Sequence, residues 1–289
     1  MQFVADRKGA VWEEDSWQDK ILEWIYGHFL GRLFIKPFIR PAVSELGGRA
    51  LDTVFSKVLI APFICRHSVN MAECEEKEYT SYNDFFKRRL VSGARRIEMD
   101  KGSFISPCDS RLTVCKIDRA STFSVKHTWY TAAGLLRDYK IADKYAGGYI
   151  WIFRLCVDDY HRYIYVDNGV ESQRRRIPGV FHTVNPAAGD RLLVYKENTR
   201  EYSLLRSENF GTVLQMEVGA LLVGKIENRQ EGKTVKRGQE KGNFAFGGST
   251  VILMTQAGKV RPDEDILKNS TQGIETKVRL GERIGGFIV

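Results

Sequence analysis

Phe246-Gly247-Gly248-Ser249-Thr250 stands directly before the apolar run Val251-Ile252-Leu253-Met254, and Ser249 opens residues 249–289 of a 289-residue chain. A serine hydroxyl beside a glycine carbonyl can attack that carbonyl in an N→O acyl shift, turning the Gly248–Ser249 amide into an ester. If a base then removes the Ser249 α-proton, the ester leaves by β-elimination. The dehydroalanine that remains tautomerises and hydrolyses to a pyruvoyl group on a new N-terminus. Glycine suits the leaving side: without a Cβ its backbone bends tightly and its carbonyl can be approached closely. The chemistry needs a group to take the Ser249 proton and a donor for the oxyanion on Gly248.

Gly-Gly-Ser-Thr alone is also what a turn between strands contains. The longer phrase Arg237-Gly238-Gln239-Glu240-Lys241-Gly242-Asn243-Phe244-Ala245-Phe246-Gly247-Gly248-Ser249-Thr250-Val251 is more specific. With Met216-Glu217-Val218-Gly219-Ala220, Asp159-Tyr160-His161-Arg162 and Ser106-Pro107-Cys108-Asp109, it resembles the phosphatidylserine decarboxylase family. Members of that family carry KGxExGxFxFGGST, MEVGA, DYHRxH and SPxDG segments. The resemblance runs from about Tyr79 to the C-terminus and more loosely through the N-terminal part.

The resemblance implies a self-cleaving proenzyme in which a β-sandwich edge presents Ser249. Cleavage between Gly248 and Ser249 would leave a β chain and an α chain, joined in a homodimer. By the same match Asp109 supports a histidine base, His161 serves decarboxylation and protonation, and Asp159 orients its segment. Gly247 and Thr250 flank the cleavage site, and His182 lies in the neighbourhood of the family's VNP segment. The cofactor would be the pyruvoyl group made from Ser249, with no metal. Its carbonyl condenses with a substrate amine and takes up the electrons released as carbon dioxide leaves, much as a pyridoxal ring does. His161 is the expected proton donor because an imidazole titrates near working pH.

Three positions depart from the family pattern. The second histidine of DYHRxH, the family's base in an Asp-His-Ser triad, is Ile164 here, and an isoleucine cannot take a proton. The glycine after the SPxD aspartate is Ser110, and a position usually glycine is His127. Maturation would then rely on His161, or on His127 or His182 from neighbouring loops, or be slow or absent.

Composition sets the outer limits. The hydrophobic share of 43% is that of an ordinary globular chain. Five cysteines without a C-x-x-C pair indicate neither a zinc site nor a disulfide framework, which fits a reducing cytoplasm. Neither a signal-peptide pattern nor a long uninterrupted apolar run is present in the sequence, so any membrane contact is expected to be peripheral. The net charge of +8 favours an anionic partner. No nucleic-acid recognition pattern surrounds Lys87-Arg88-Arg89, Arg95-Arg96 or Arg174-Arg175-Arg176, so the expected partner is an anionic membrane surface.

The positioning elements follow from periodicity. Trp17, Ile21, Leu22, Ile25, Phe29 and Leu33 recur at helical steps between Ser16 and Ile39, with Arg32, Lys36 and Arg40 on one stripe. That helix can lie in a lipid headgroup layer or pack on its own core. The first dozen residues read as a loose arm. Ser81 to Leu90 reads as a second helix with Ser81 as N-cap and Gly93 as its stop. From Gly102 onward short β-rich runs dominate: Leu112 to Ile117, Tyr149 to Cys156, Tyr163 to Val166, Val213 to Val218, Leu221 to Ile226 and Thr250 to Thr255. Gly238 and Gly242 punctuate strands, and Glu240 between them reads as a structural hydrogen-bonder.

The expected class is therefore α+β: an N-terminal helical, membrane-associating part over 1–100 and a β-rich, sandwich-like catalytic domain over 101–289. The function implied is conversion of phosphatidylserine to phosphatidylethanolamine at the cytoplasmic face of a membrane. Two alternatives stay open, an amino-acid decarboxylase on the same scaffold and an uncleaved lipid-binding homologue.

Overall fold

The computed structural model describes residues 2–14, 28, 41–125, 128–180, 194–219, 226–229, 232–245 and 249–287. The predicted helix between Ser16 and Ile39 therefore lies outside the described residues apart from His28, as do His127, His182, Gly247 and Gly248.

Ser249–Thr255 is an interior strand of an eleven-stranded mixed sheet. Thr212–Val218 flanks it on one side and Tyr149–Leu155 on the other, both antiparallel. Beyond Tyr149–Leu155 come Ser110–Lys116, Glu275–Val278, Gln2–Ala5 and Val11–Glu14. Beyond Thr212–Val218 come Arg200–Ser207, Gly169–Glu171 and Thr234–Val235.

Both faces of this sheet are covered, so its central strands are buried and largely apolar, with Arg154, Gln215 and Glu217 as buried polar exceptions. Val251 and Leu253 enter a core with Phe104, Trp151, Phe153, Tyr163 and Phe244. Ile252 and Met254 enter a second core with Ile150, Ile152, Met216, Leu135 and Tyr130. The first core is closed by two three-stranded sheets, Ile226–Asn228 with Glu240–Phe244 and Arg162–Ile164, and Val260–Pro262 with Arg283–Phe287 and Ser103–Ile105. The helix Glu264–Thr271 adds Ile266 to it. The helix Ala132–Leu136 and the hairpin Thr122–Val125/Thr128–Thr131 close the second. This is the α+β, sandwich-like arrangement expected from the strand pattern.

The N-terminus differs from its reading as a loose arm. Gln2–Ala5 pairs in parallel with Glu275–Val278 and antiparallel with Val11–Glu14, and Val4 and Ala5 are fully buried. Arg7 fastens this hairpin to Asp263 and Asp265. Four-residue strands give too little alternation to stand out in sequence, and their hydrogen-bond partner lies some 270 residues away. Helices do follow, at Pro41–Leu51 and Ile60–His67, joined by the 3-10 turn Val54–Leu59.

The helix expected over 81–90 is shorter, Tyr82–Phe86. Its N-cap is as read: Ser81 Oγ accepts from Asp84 N at 3.1 Å. It stops at Lys87 because Arg162 claims the next carbonyls, donating to Lys87 O at 2.5 Å and to Arg88 O at 3.1 Å. Strand 163–166 is displaced to Arg162–Ile164, and of the run 221–226 only Ile226 is described, opening Ile226–Asn228. Glu240 accepts from Arg162 Nη1 and Arg229 Nε. Gly242 is required by crowding, since a Cβ there would meet Glu227 O at 2.5 Å.

Candidate active site

Strand pairing brings the reactive positions together. Ser249 is the first residue of its strand and faces Leu155, the last residue of Tyr149–Leu155. Past Leu155 the chain turns on itself: Asp159 Oδ2 accepts from Cys156 N at 2.7 Å, and Asp159 N donates to Cys156 O at 3.1 Å. The turn returns His161 to the end of the strand where Ser249 begins. Phe244 N donates to the His161 carbonyl at 3.0 Å, so the segment leading toward Ser249 is pinned to the same histidine.

His161 Nδ1 lies 3.2 Å from Ser249 Oγ, and both residues are buried. On the other side of the ring, Nε2 is 2.9 Å from the Cys156 carbonyl oxygen. A carbonyl only accepts, so Nε2 carries the proton and the Nδ1 lone pair faces the serine hydroxyl. Phe86 lies against the ring at 4.2 Å between centroids. Burial strips water from an imidazolium here, and the Arg88 guanidinium adds repulsion; together they push the His161 pKa down to about 3. Cys156 O and Asp158 oppose this only in part. The expectation of an imidazole titrating near neutrality is thus corrected: the buried ring is a neutral proton acceptor over the physiological range.

Asp159 does hold its segment. Besides its bond to Cys156 N it takes Arg111 Nη1 at 2.6 Å, and Arg111 is held in turn by Glu14 of the N-terminal hairpin at 2.8 Å. Burial raises the Asp159 carboxyl, and Arg111 opposes that rise. Arg88, also buried, donates from Nη2 to the carbonyls of Asp158 at 3.2 Å and Asp159 at 3.3 Å.

Asp109 is placed elsewhere. It is clasped by Arg95, with contacts from 2.7 to 3.0 Å, and accepts from Leu280 N at 2.7 Å. None of these bonds reaches His161. Ile164 is a core residue whose N–H goes to Pro107 O. Thr250 is buried and its hydroxyl has no hydrogen-bond partner among the described residues. Ser110, also buried, likewise has an unpartnered hydroxyl. Cys156 is no competing nucleophile, because burial pushes its thiol up to about 12 even with Arg154 Nη1 at 2.9 Å.

Sequence reasoning missed Cys156 O, Phe86, Arg88 and Arg111. A backbone carbonyl carries no residue-type signal. The other three become neighbours of the 156–161 turn only through long-range packing. No cluster of three or more metal-ligating side chains occurs among the described residues.

The family model described as phosphatidylserine decarboxylase matches residues 82–286. The chain is 44% identical over 284 residues to phosphatidylserine decarboxylase proenzyme 2 of Clostridium acetobutylicum, covering 98% of this chain and 97% of the relative. It is 40% identical to the phosphatidylserine decarboxylase proenzyme of Clostridium tetani and 39% to that of Clostridium perfringens, with 92% of each chain covered.

Proposed function

Given that the chain belongs to the phosphatidylserine decarboxylase family, we propose that it is a self-processing carboxy-lyase that converts phosphatidylserine to phosphatidylethanolamine and carbon dioxide. The observation that carries the self-processing is the contact between His161 Nδ1 and Ser249 Oγ. Nδ1 takes the hydroxyl proton as Oγ bonds to the Gly248 carbonyl carbon, and the same proton passes to the nitrogen of residue 249 as the carbon–nitrogen bond breaks, leaving an ester, a free amine and a neutral imidazole. Removal of the Ser249 α-proton then expels the Gly248 carboxylate from Cβ, and water releases ammonia to leave the keto group.

This dyad differs from an Asp-His-Ser arrangement in one respect. A neutral carbonyl, Cys156 O, stands where a carboxylate would stabilise the imidazolium. Maturation by His161 is correspondingly slower than with a charged partner.

The position fits a pyruvoyl group: Ser249 is fully buried, the adjoining Thr250 hydroxyl is an unused donor among the described residues, and no added atoms need be housed. When formed, that group supplies an electron sink for the carboxylate carbon's bonding pair. His161 remains the titratable side chain held at residue 249, and because burial disfavours its charged form it passes on a proton in place of retaining it. Residues 249–289 stay attached after cleavage through sheet pairing with Tyr149–Leu155, Thr212–Val218 and Ser110–Lys116.

The reading places the enzyme peripherally on the cytoplasmic face of a membrane, as a homodimer. Among the described residues no helix is long and apolar enough to cross a bilayer. Around the 3-10 turn Val54–Leu59, however, Phe55 is 82% exposed and Val58 75%, and Val54 and Leu59 are also open. Such a patch on a chain of net charge +8 suits an anionic lipid surface.

Intact-mass measurement tests the proposal. Cleavage converts the 33.0 kDa chain into two pieces, the smaller reacting with carbonyl-trapping hydrazines, and Ser249→Ala stays whole. Product amines from phosphatidylserine vesicles and from free serine then separate the lipid enzyme from an amino-acid decarboxylase. A chain unbroken after days in buffer and inert to hydrazine defeats the reading.

A further inference from the structure

Arg88 is a buried cation, 5% exposed, that forms no ion pair among the described residues. Its Nη2 is spent on the Asp158 and Asp159 carbonyls and its guanidinium lies 5.3 Å from the centre of the Phe85 ring, but its Nη1 is buried with no hydrogen-bond partner among the described residues. Buried charges are ordinarily paired, and an unmade bond to a charged group is costly. The side chain also lines a cavity of about 260 Å³ together with Lys87, Arg89 and Arg162. Six cationic and three acidic side chains surround this space. Two of the acids are already engaged, Asp84 by Lys77 and Glu227 by Lys87 and Asn243. Arg89, an exposed residue of the lining, has no ion pair among the described residues.

We propose that this cavity binds the phosphodiester of the substrate headgroup, with Arg88 as its principal ligand; the assignment rests on the decarboxylase reading above. A guanidinium with a free N–H₂ is shaped for an oxyanion. The volume falls below the range of about 300–1,000 Å³ typical of pockets for drug-sized ligands, so it admits a headgroup and not acyl chains. Arg88 also links the cavity to the turn that carries His161, because it grips the two carbonyls two and three residues before that histidine, and Arg162 and Asn243 of the cavity wall directly adjoin His161 and Phe244 in the chain. The phosphate is favoured over the carboxylate for a chemical reason. A cation held on the departing carboxylate stabilises the ground state and slows its loss, whereas one on a non-reacting phosphodiester binds ground and transition states alike.

The test uses the full chain carrying Ser249→Ala, which cannot process itself, and calorimetric titration with inorganic phosphate, glycerophosphoserine and serine. Phosphate and glycerophosphoserine bind, serine does not, and Arg88→Gln weakens both phosphate ligands by about tenfold or more, the size expected for one charged hydrogen bond. Arg88→Lys retains part of the affinity. Absence of phosphate binding, equal binding in Arg88→Gln with an unchanged melting temperature, or binding of serine as tight as that of glycerophosphoserine overturns the site. Should Arg88→Gln not fold, Arg89→Gln decides: a severalfold loss of phosphate affinity supports the cavity and no loss overturns it. The two proposals fail separately. A wild-type chain that binds phosphate and never cleaves defeats only the decarboxylase reading, whereas one that matures and turns over lipid equally well as Arg88→Gln defeats only the site.

Discussion

His161 donates through Nε2 to the carbonyl of Cys156 at 2.9 Å, so the nitrogen that faces Ser249 is the unprotonated one. The tautomer of the base is thus set by the backbone of the turn from which it projects. His161→Gln keeps a polar side chain of similar bulk and loses the acceptor nitrogen. Its self-cleavage should fall by about 10²–10⁴-fold, the usual worth of a positioned base, read as persistence of the 33.0 kDa precursor by mass spectrometry.

Acid sensitivity follows from the same burial. The folded pKa of His161 is depressed to about 3 from 6.5, so between those values the unfolded chain binds a proton that the folded chain does not. Stability from this group is complete above about pH 6.5 and drains away as pH falls toward 3. Lowering pH from about 7 to about 5 should cost wild type about 2 kcal/mol more than it costs His161→Gln, measured by urea unfolding.

Asp159 is the keystone of the turn that returns His161. Asp159→Asn removes the charge that Arg111 meets at 2.6 Å and weakens acceptance from Cys156 N. The expected outcome is a folded precursor that cleaves about 10- to 100-fold more slowly, since small misplacement of a reacting group has that effect. Unchanged cleavage kinetics in pulse-chase would count against a positioning role.

Lys241 and Glu217 form a buried ion pair at 2.7 Å, 1% and 0% exposed. Lys241→Met strands the Glu217 carboxylate, which burial already pushes upward. The loss should be about 3–5 kcal/mol in chemical denaturation. Glu171, 3.8 Å from Lys241, relieves little of it because Tyr165 and Ser203 already donate to that carboxylate.

Ile164→His supplies the second histidine of the DYHRxH pattern from which this chain departs. Here the site is apolar core, 4% exposed among Tyr163, Val166 and Phe244. The substitution should lower stability by about 1–3 kcal/mol and leave cleavage no faster. Faster precursor processing in this variant would show that His161 is not the base.

Much of the scaffold was legible because its strands are long and buried. Ser249–Thr255, Thr212–Val218 and Tyr149–Leu155 announce themselves as apolar runs bounded by turn residues, and Ser81 announces its helix as a cap. The hairpin Gln2–Ala5/Val11–Glu14 did not, because a four-residue strand acquires its identity from its neighbour. The early end of the Tyr82–Phe86 helix was hidden for a similar reason, lying in the reach of Arg162.

For the site, residue types alone determined that Ser249 can be acylated by its own chain, that His161 is the histidine left in its motif and that Ile164 cannot serve; these are properties of side-chain chemistry and need no coordinates. Tertiary structure alone decided that His161 meets Ser249, that Asp109 is held by Arg95, and that a carbonyl stands behind the ring. It also decided that Arg88 is buried without a counter-ion among the described residues. Those facts depend on which strand ends face each other and which groups lose their water, and both are set by packing that joins segments far apart in the chain, 70 residues for Arg88 and Asp158, 88 for His161 and Ser249 and 171 for Asp109 and Leu280.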